Sequence, residues 1–142
     1  MTLLAPTDQP PGPSDIAGFV AANAEDDIAR DLLRPHFVAD RETLLLAGFD
    51  AFGRLVRVER TGGDSASRCI IPPRCWRSLI GSGVVAVIMA HNHPSGDARP
   101  SAADTQATQE TAHFLRTIDI ELVDHLIFVA DGHFSFRRAG LL

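Results

Sequence analysis

Val84-Val85-Ala86-Val87-Ile88-Met89-Ala90 is apolar at every position and opens directly behind Gly83. No other stretch of the chain constrains its fold as strongly. A run of strand length without polar alternation predicts a central strand covered on both faces. It falls far short of the roughly 20 apolar residues that cross a bilayer. Met1-Thr2-Leu3-Leu4 has neither the basic start nor the sustained apolar segment of a signal peptide. The expectation is therefore a soluble cytoplasmic protein that makes no use of a membrane. A strand buried on both sides needs other elements to cover it, and 142 residues are enough for one such domain. A domain of this size buries roughly 68–70% of its unfolded surface. A TIM barrel, at roughly 200 residues or more, is excluded.

The elements around that strand follow from periodicity and punctuation. Residues 1–13 hold Pro6, Pro10, Pro11 and Pro13 and predict a flexible N-terminus. Residues 14–36 are expected to be a short helical lead-in. Ser14 or Asp15 would cap a helix carrying Ile16, Phe19 and Val20, and Asp26 to Arg34 forms a second helical stretch stopped by Pro35. Residues 37–142 form the domain proper. Thr43 to Phe49 and Leu55 to Glu59 flank the turn Asp50-Ala51-Phe52-Gly53 and predict a β-hairpin. Gly62-Gly63-Asp64-Ser65 is loop, Ile70-Ile71 a short extended piece, and Arg74 to Ile80 a helix. A second helix is expected from Ser101 to about Ile118, then Leu122-Val123, a strand from His125 to Ala130, and a last strand around Phe134-Ser135-Phe136. Interleaved strands and helices make the class α/β, a mixed β-sheet flanked by helices.

Charge narrows the partners. The formal net charge is −5, and every one of the 13 basic residues is arginine, with no basic cluster among them. That balance argues against broad binding of nucleic acid through its phosphates. Cys69 and Cys75, spaced C-x5-C, match neither a zinc knuckle nor a redox pair and are expected as free thiols.

Chemistry concentrates where the apolar run ends, in His91-Asn92-His93-Pro94. Residues i and i+2 of a strand point to the same side, so both imidazoles can converge on one metal ion. Asp104 follows a Gly/Pro loop in the first turn of the predicted helix, from where its carboxylate can return to the strand end. Two imidazole nitrogens and one oxygen leave a fourth tetrahedral position for water, which is the ligand count of a catalytic zinc site. Such a site needs a base that is not a ligand. Of Glu25, Glu42, Glu59, Glu110 and Glu121, Glu42 opens the hairpin's first strand and is the first candidate, with Glu59 in reserve.

His91-Asn92-His93-Pro94-Ser95-Gly96-Asp97, Pro100-Ser101 and Asp104 together resemble the signature of RadC-type JAB/MPN (JAMM) metalloprotease-like domains. That signature is Glu, then H-x-H, seven residues, Ser, two residues, Asp, and the spacing agrees throughout. Pro73-Arg74, Asp124-His125 and the closing Ser135-Phe136 to Gly140-Leu141-Leu142 are similar to family segments as well. Cys75 stands where the family often has Glu. The resemblance implies a sandwich like that of cytidine deaminases, with zinc on His91, His93 and Asp104, Glu42 as general acid/base, and Ser101 hydrogen-bonding the water or the oxyanion. It implies a hydrolase acting on a peptide or isopeptide bond of a peptide or protein substrate. Full RadC-like chains carry an N-terminal helix-hairpin-helix region, which the residues ahead of 37 are too few to hold, and this lowers the expectation of DNA binding.

Two other readings stand beside it: a JAB/MPN binding or scaffold module without turnover, and a DNA-repair-associated factor. Metallo-β-lactamase H-x-H-x-D-H, deaminase H-x-E with P-C-x-x-C, and helical H-E-x-x-H are all absent. Ser101 and Asp104 also form the S-x-x-D of a helix cap, a role compatible with chemistry. His125 beside Asp124 is a candidate for supporting a metal-bound histidine, with a turn contact as its plainer explanation. His113 is expected on a solvated helix face, and His36 and His133 in loops without chemistry. Substrate choice is expected to lie in loops such as Gly62 to Ser67 and Ser95 to Arg99.

Overall fold

The computed structural model describes residues 16–62 and 71–142. The proline-rich start, Ser14 and Asp15, the Gly63-Asp64-Ser65 loop, Cys69 and Ile70 lie outside the described residues. The apolar run becomes β4 (Ala86–Asn92), displaced toward the C-terminus so that the strand itself carries His91. It sits inside a six-stranded sheet built with β1 (Phe19–Ala21), β2 (Thr43–Phe49), β3 (Leu55–Gly62), β5 (Glu121–Val129) and β6 (Gly132–Ser135), in the order β1-β6-β5-β4-β2-β3. Among the described residues only β4 and β5 run parallel. A parallel pair requires a crossover, and α2 (Ala102–Thr117) supplies it, while α1 (Pro73–Ile80) links β3 to β4. The chain thus has the mixed α/β architecture, a sheet flanked by helices, that the sequence predicts.

Alternation along the strands sorts side chains onto two faces. Val87 and Met89 of β4 join Leu44, Leu46, Leu122 and, from the helices, Cys75, Leu79 and Leu115. Ile88 and Ala90 join Leu45, Ala47, Phe49, Leu126 and Phe128 against Ala29 and Leu33. Leu79 is fully buried, which contributes roughly 1.5–3 kcal/mol. Continuing the odd positions carries His91 onto the helix-covered face. A bulge decides what stands next to it. Val87 opposes Leu122 but Ile88 opposes Asp124, so β5 holds one extra residue. That residue reverses the parity of everything after it. Met89 is consequently paired with His125, where an unbroken ladder would offer it Asp124.

Residues 16–21 correct the helical reading. Ile16, Phe19 and Val20 have helical spacing, yet Phe19–Ala21 is strand β1, antiparallel to β6. Gly18 stands at φ 91, outside the helical region. Gly132 has no side chain to keep the strands apart, and a Cβ there would lie 2.1 Å from the Val20 carbonyl oxygen. Edge pairing thus overrides local spacing, and this segment is bound into the sheet. Asp26 to Arg34 is helical, as a π-turn over Ile28–Leu33 followed by a 3₁₀ turn, with the Asp26 carboxylate accepting the Ala29 N–H at 2.8 Å. β5 is one continuous strand where two pieces were expected. Among the described residues no helix is long and apolar enough to cross a membrane.

Candidate metal centre

The end of β4 and the first turn of α2 meet. His91 Nε2 lies 3.0 Å from His93 Nε2 and 3.4 Å from Asp104 Oδ1, and His93 Nε2 lies 3.2 Å from Asp104 Oδ2. Donors roughly 2.0–2.1 Å from a tetrahedral ion stand roughly 3.3–3.4 Å from one another, so the spacing and chemistry of the three residues fit a zinc-sized cation. Asp104 is placed by the capping box. Its backbone N–H donates to Ser101 Oγ at 3.0 Å, and the Ser101 N–H donates to Asp104 Oδ2 at 2.9 Å. His93 Nδ1 is anchored on the Asp97 carbonyl oxygen at 2.8 Å, which directs its other nitrogen inward.

The electrostatics match this crowding. Burial works to raise the Asp104 carboxyl, but the adjoining His91 and His93 imidazoles override it and hold the group far below the usual carboxylate range. Burial works to lower His93, and its contacts with Asp104 and the Asp97 carbonyl bring it above its ordinary value instead.

Glu42 approaches from β2. Leu44 opposes His91 in the ladder, and the same register carried two residues further sets Glu42 against His93. Donor atoms of Glu42, His91 and His93 all lie within 4.8 Å of one another. Among the described residues no hydrogen bond or ion pair holds the Glu42 carboxylate. Glu59, the reserve candidate, stands opposite Leu46 on β3, with Arg57 at 3.8 Å. The structure therefore brings Glu42, His91, His93, Asp104 and Ser101 to one place and leaves Glu59 outside it.

Asn92, between the two histidines, faces the other way. Its Oδ1 accepts the Thr43 N–H at 2.7 Å, and its Nδ2 donates to the carbonyls of Val38 and Arg41 at 3.0 and 2.7 Å. It thereby pins the segment that carries Glu42. The chemistry-bearing pattern H-x-H hides this role, because nothing local marks a partner about 50 positions away.

His125 stands behind His91, its Nε2 at 2.7 Å from His91 Nδ1 and its Nδ1 at 2.5 Å from Thr108 Oγ1. Burial, with the nearby His91, pushes its pKa well below the ordinary value. Asp124 takes no part in this contact. Its oxygens accept from the His125 and Arg137 backbone N–H groups and the Ser135 hydroxyl, bracketing the bulge.

His113 is exposed on α2 and His36 is half-buried in the 3₁₀ turn. His133 corrects its loop assignment: it is buried in β6 with Nδ1 2.5 Å from Glu25 Oε2. Cys75 is a buried free thiol. A cleft of about 180 Å³ beside His93 is lined by Phe37, Val38, Pro94, Phe128 and Val129. A larger cavity, about 590 Å³, lies at the N-terminal ends of β4 and β5 near Arg116, Leu122 and Leu142, at the opposite end of the strands from His91 and His93.

Residues 23–141 match the family model of the RadC-like JAB domain. A UPF0758 protein of Burkholderia thailandensis is 40% identical over 120 residues, covering 82% of this chain and 44% of its own length. One from Burkholderia mallei is 41% identical over 120 residues, 82% of this chain and 41% of its length. One from Pelodictyon phaeoclathratiforme is 36% identical over 103 residues, 72% of this chain and 46% of its length. The chain thus spans less than half the length of these curated relatives.

Proposed function

The chain belongs to the RadC-like JAB domain family, and from that premise we propose that it is a zinc-dependent hydrolase that cleaves a peptide or isopeptide bond. The observation that carries the reading is the convergence of His91 Nε2, His93 Nε2 and the Asp104 carboxylate at 3.0–3.4 Å, with the Glu42 carboxylate beside them, held by no hydrogen bond or ion pair among the described residues. On this reading His91, His93 and Asp104 hold the metal. Zinc at such a site lowers the pKa of water to about 7 and polarises a carbonyl.

The protein's own groups would do the rest. Glu42, half-buried and bound to no donor among the described residues, removes a proton from the attacking water and returns it to the leaving amine nitrogen. Asp104 is too firmly tied, to two imidazoles and the Ser101 N–H, to serve as that base. The Ser101 hydroxyl accepts from Asp104 N–H and keeps its own proton to donate to the oxygen of the attacked carbonyl. The apolar cleft beside His93 suits a substrate side chain next to the scissile bond. Nucleic acid is not the proposed substrate, because a net charge of −5 offers phosphates little.

Elemental analysis of untagged protein tests the centre. Stoichiometric zinc in the wild type, absent from His93→Ala, is the expected result. Glu42→Gln should keep the metal and lose about 10²–10⁴-fold in amide hydrolysis; undiminished turnover would sink its role as base. A wild type that takes up no zinc even from excess would replace the hydrolase with a binding module.

A further inference from the structure

We infer that His125 and Thr108 are positioning residues that fix which ring nitrogen of His91 carries the proton, and so keep the His91 Nε2 lone pair turned toward His93 and Asp104. The purpose of this arrangement rests on the metal centre proposed above, but the proton arrangement itself can be derived without any metal.

The derivation counts protons. The Thr108 hydroxyl has one proton and two close neighbours, the Asp104 backbone carbonyl oxygen at 2.7 Å and His125 Nδ1 at 2.5 Å. A carbonyl oxygen has no proton to give. If the hydroxyl turned its proton to His125, two oxygens would face each other at 2.7 Å with nothing between them. The hydroxyl therefore donates to the Asp104 carbonyl and accepts from His125 Nδ1–H. A neutral imidazole protonated on Nδ1 has only a lone pair on Nε2. His125 is fully buried, stacked on the Phe136 ring at 4.7 Å, where a second, charging proton is costly. Its Nε2 thus accepts from His91 Nδ1–H across 2.7 Å. A neutral His91 then carries its one proton on Nδ1 and a lone pair on Nε2, the atom 3.0 Å from His93 Nε2 and 3.4 Å from Asp104 Oδ1.

The relay closes on the residue where it began. It starts at the backbone carbonyl of Asp104 and ends at a lone pair beside the carboxylate of that same residue. One turn of α2 therefore supplies an oxygen donor and, four residues on, the hydroxyl that sets its neighbour's tautomer. Metal-bound histidines usually give their second proton to a carboxylate, a carbonyl or water. Here a second histidine takes it, and the direction of that bond is imposed by a threonine whose hydroxyl has only one way to point. The β5 bulge is what makes the arrangement possible, since it brings His125 to the face that His91 occupies.

The test begins with metal-free, ¹⁵N-labelled protein at mildly alkaline pH. Long-range ¹H–¹⁵N correlation of the histidine rings should show the proton on Nδ1 in both His91 and His125. Thr108→Val keeps the shape and removes the acceptor. It should introduce the second His91 tautomer and weaken zinc binding about 10–100-fold, and Thr108→Ser should restore both. A merely structural role for Thr108 would not move the tautomer signal. A wild-type His91 protonated on Nε2 overturns the inference, as does a Thr108→Val protein with unchanged tautomer and unchanged zinc affinity. Should Thr108→Val fail to fold, the wild-type spectrum alone decides. Wild-type protein that binds no zinc but shows both Nδ1 protons would end the hydrolase reading while supporting this one.

Discussion

The sheet carries a buried cluster of histidine and carboxylate on each face, and the two are built on opposite principles. On one face Glu25, its side chain 1% exposed, receives both arms of the Arg34 guanidinium at 2.6 and 2.7 Å and His133 at 2.5 Å. Arg34 spends two further donors on the carbonyls of Val129 and Gly132 and lies over the Phe128 ring. The carboxylate there has brought its own cation. On the other face Asp104, His91 and His93 turn lone-pair-bearing atoms toward one another, with imidazoles and a backbone amide as the carboxylate's neighbours. A buried acid beside histidines is therefore no sign of a site by itself. What separates the two is the neighbour that faces the carboxylate, an arginine fork against Glu25 and imidazole nitrogens against Asp104.

Substitutions in the two clusters should have crossed effects. His93→Ala should abolish zinc binding and destabilise the metal-free protein less than Arg34→Ala does, since His93 is partly exposed and Asp104 keeps His91 and the Ser101 N–H beside it. Arg34→Ala should do the reverse. It leaves a buried carboxylate without its fork, which costs about 3–5 kcal/mol, while the folded protein keeps its zinc. Denaturant titrations and elemental analysis of both variants check the pair. If His93→Ala proved the more destabilising of the two in the absence of metal, the distinction between a closed ion cluster and an open donor cluster would fail.

The open cluster was legible in the sequence and the closed one was not, for a physical reason. His91 and His93 share a face because strand periodicity is 2, and Asp104 sits at a helix start because S-x-x-D caps helices. Both are local rules, readable within about 14 positions. Glu25 meets His133 across 108 positions, joined by the pairing of β1 with β6, and residues 16–20 carried the spacing of a helix. The bulge that turns His125 toward His91 is equally silent, because an extra residue in a ladder shows only once its partner strand is known. Asn92 lay in full view inside the motif, but its three backbone contacts belong to the fold of residues 38–43.

Asn92 sharpens the comparison from within the motif. Asn92→Ala strands the Thr43 N–H and the carbonyls of Val38 and Arg41, and should cost about 2 kcal/mol. His91 and His93 lie on the other face of the strand, so stoichiometric zinc should remain. Glu42 loses the anchoring of its segment, and turnover should fall further than metal affinity does. Equal losses in both would mean that Asn92 supports the strand end as a whole and not the carboxylate alone.

The gentlest effect separates the clusters by pH. Burial works to raise the Glu25 carboxyl, but hydrogen bonds from Arg34 and His133 outweigh it and hold the group below its ordinary 4.5. A group with a lower pKa folded than unfolded binds fewer protons in the native state, so stability rises with pH across the interval between the two values. The contribution is complete above the unfolded value and disappears as pH falls through the folded one. Between about pH 5 and pH 3 the wild type should therefore lose stability more steeply than Glu25→Gln, whatever their offset at neutral pH. Parallel curves would show that the closed cluster gains nothing from its charge, and that Arg34 holds Glu25 by hydrogen bonding alone.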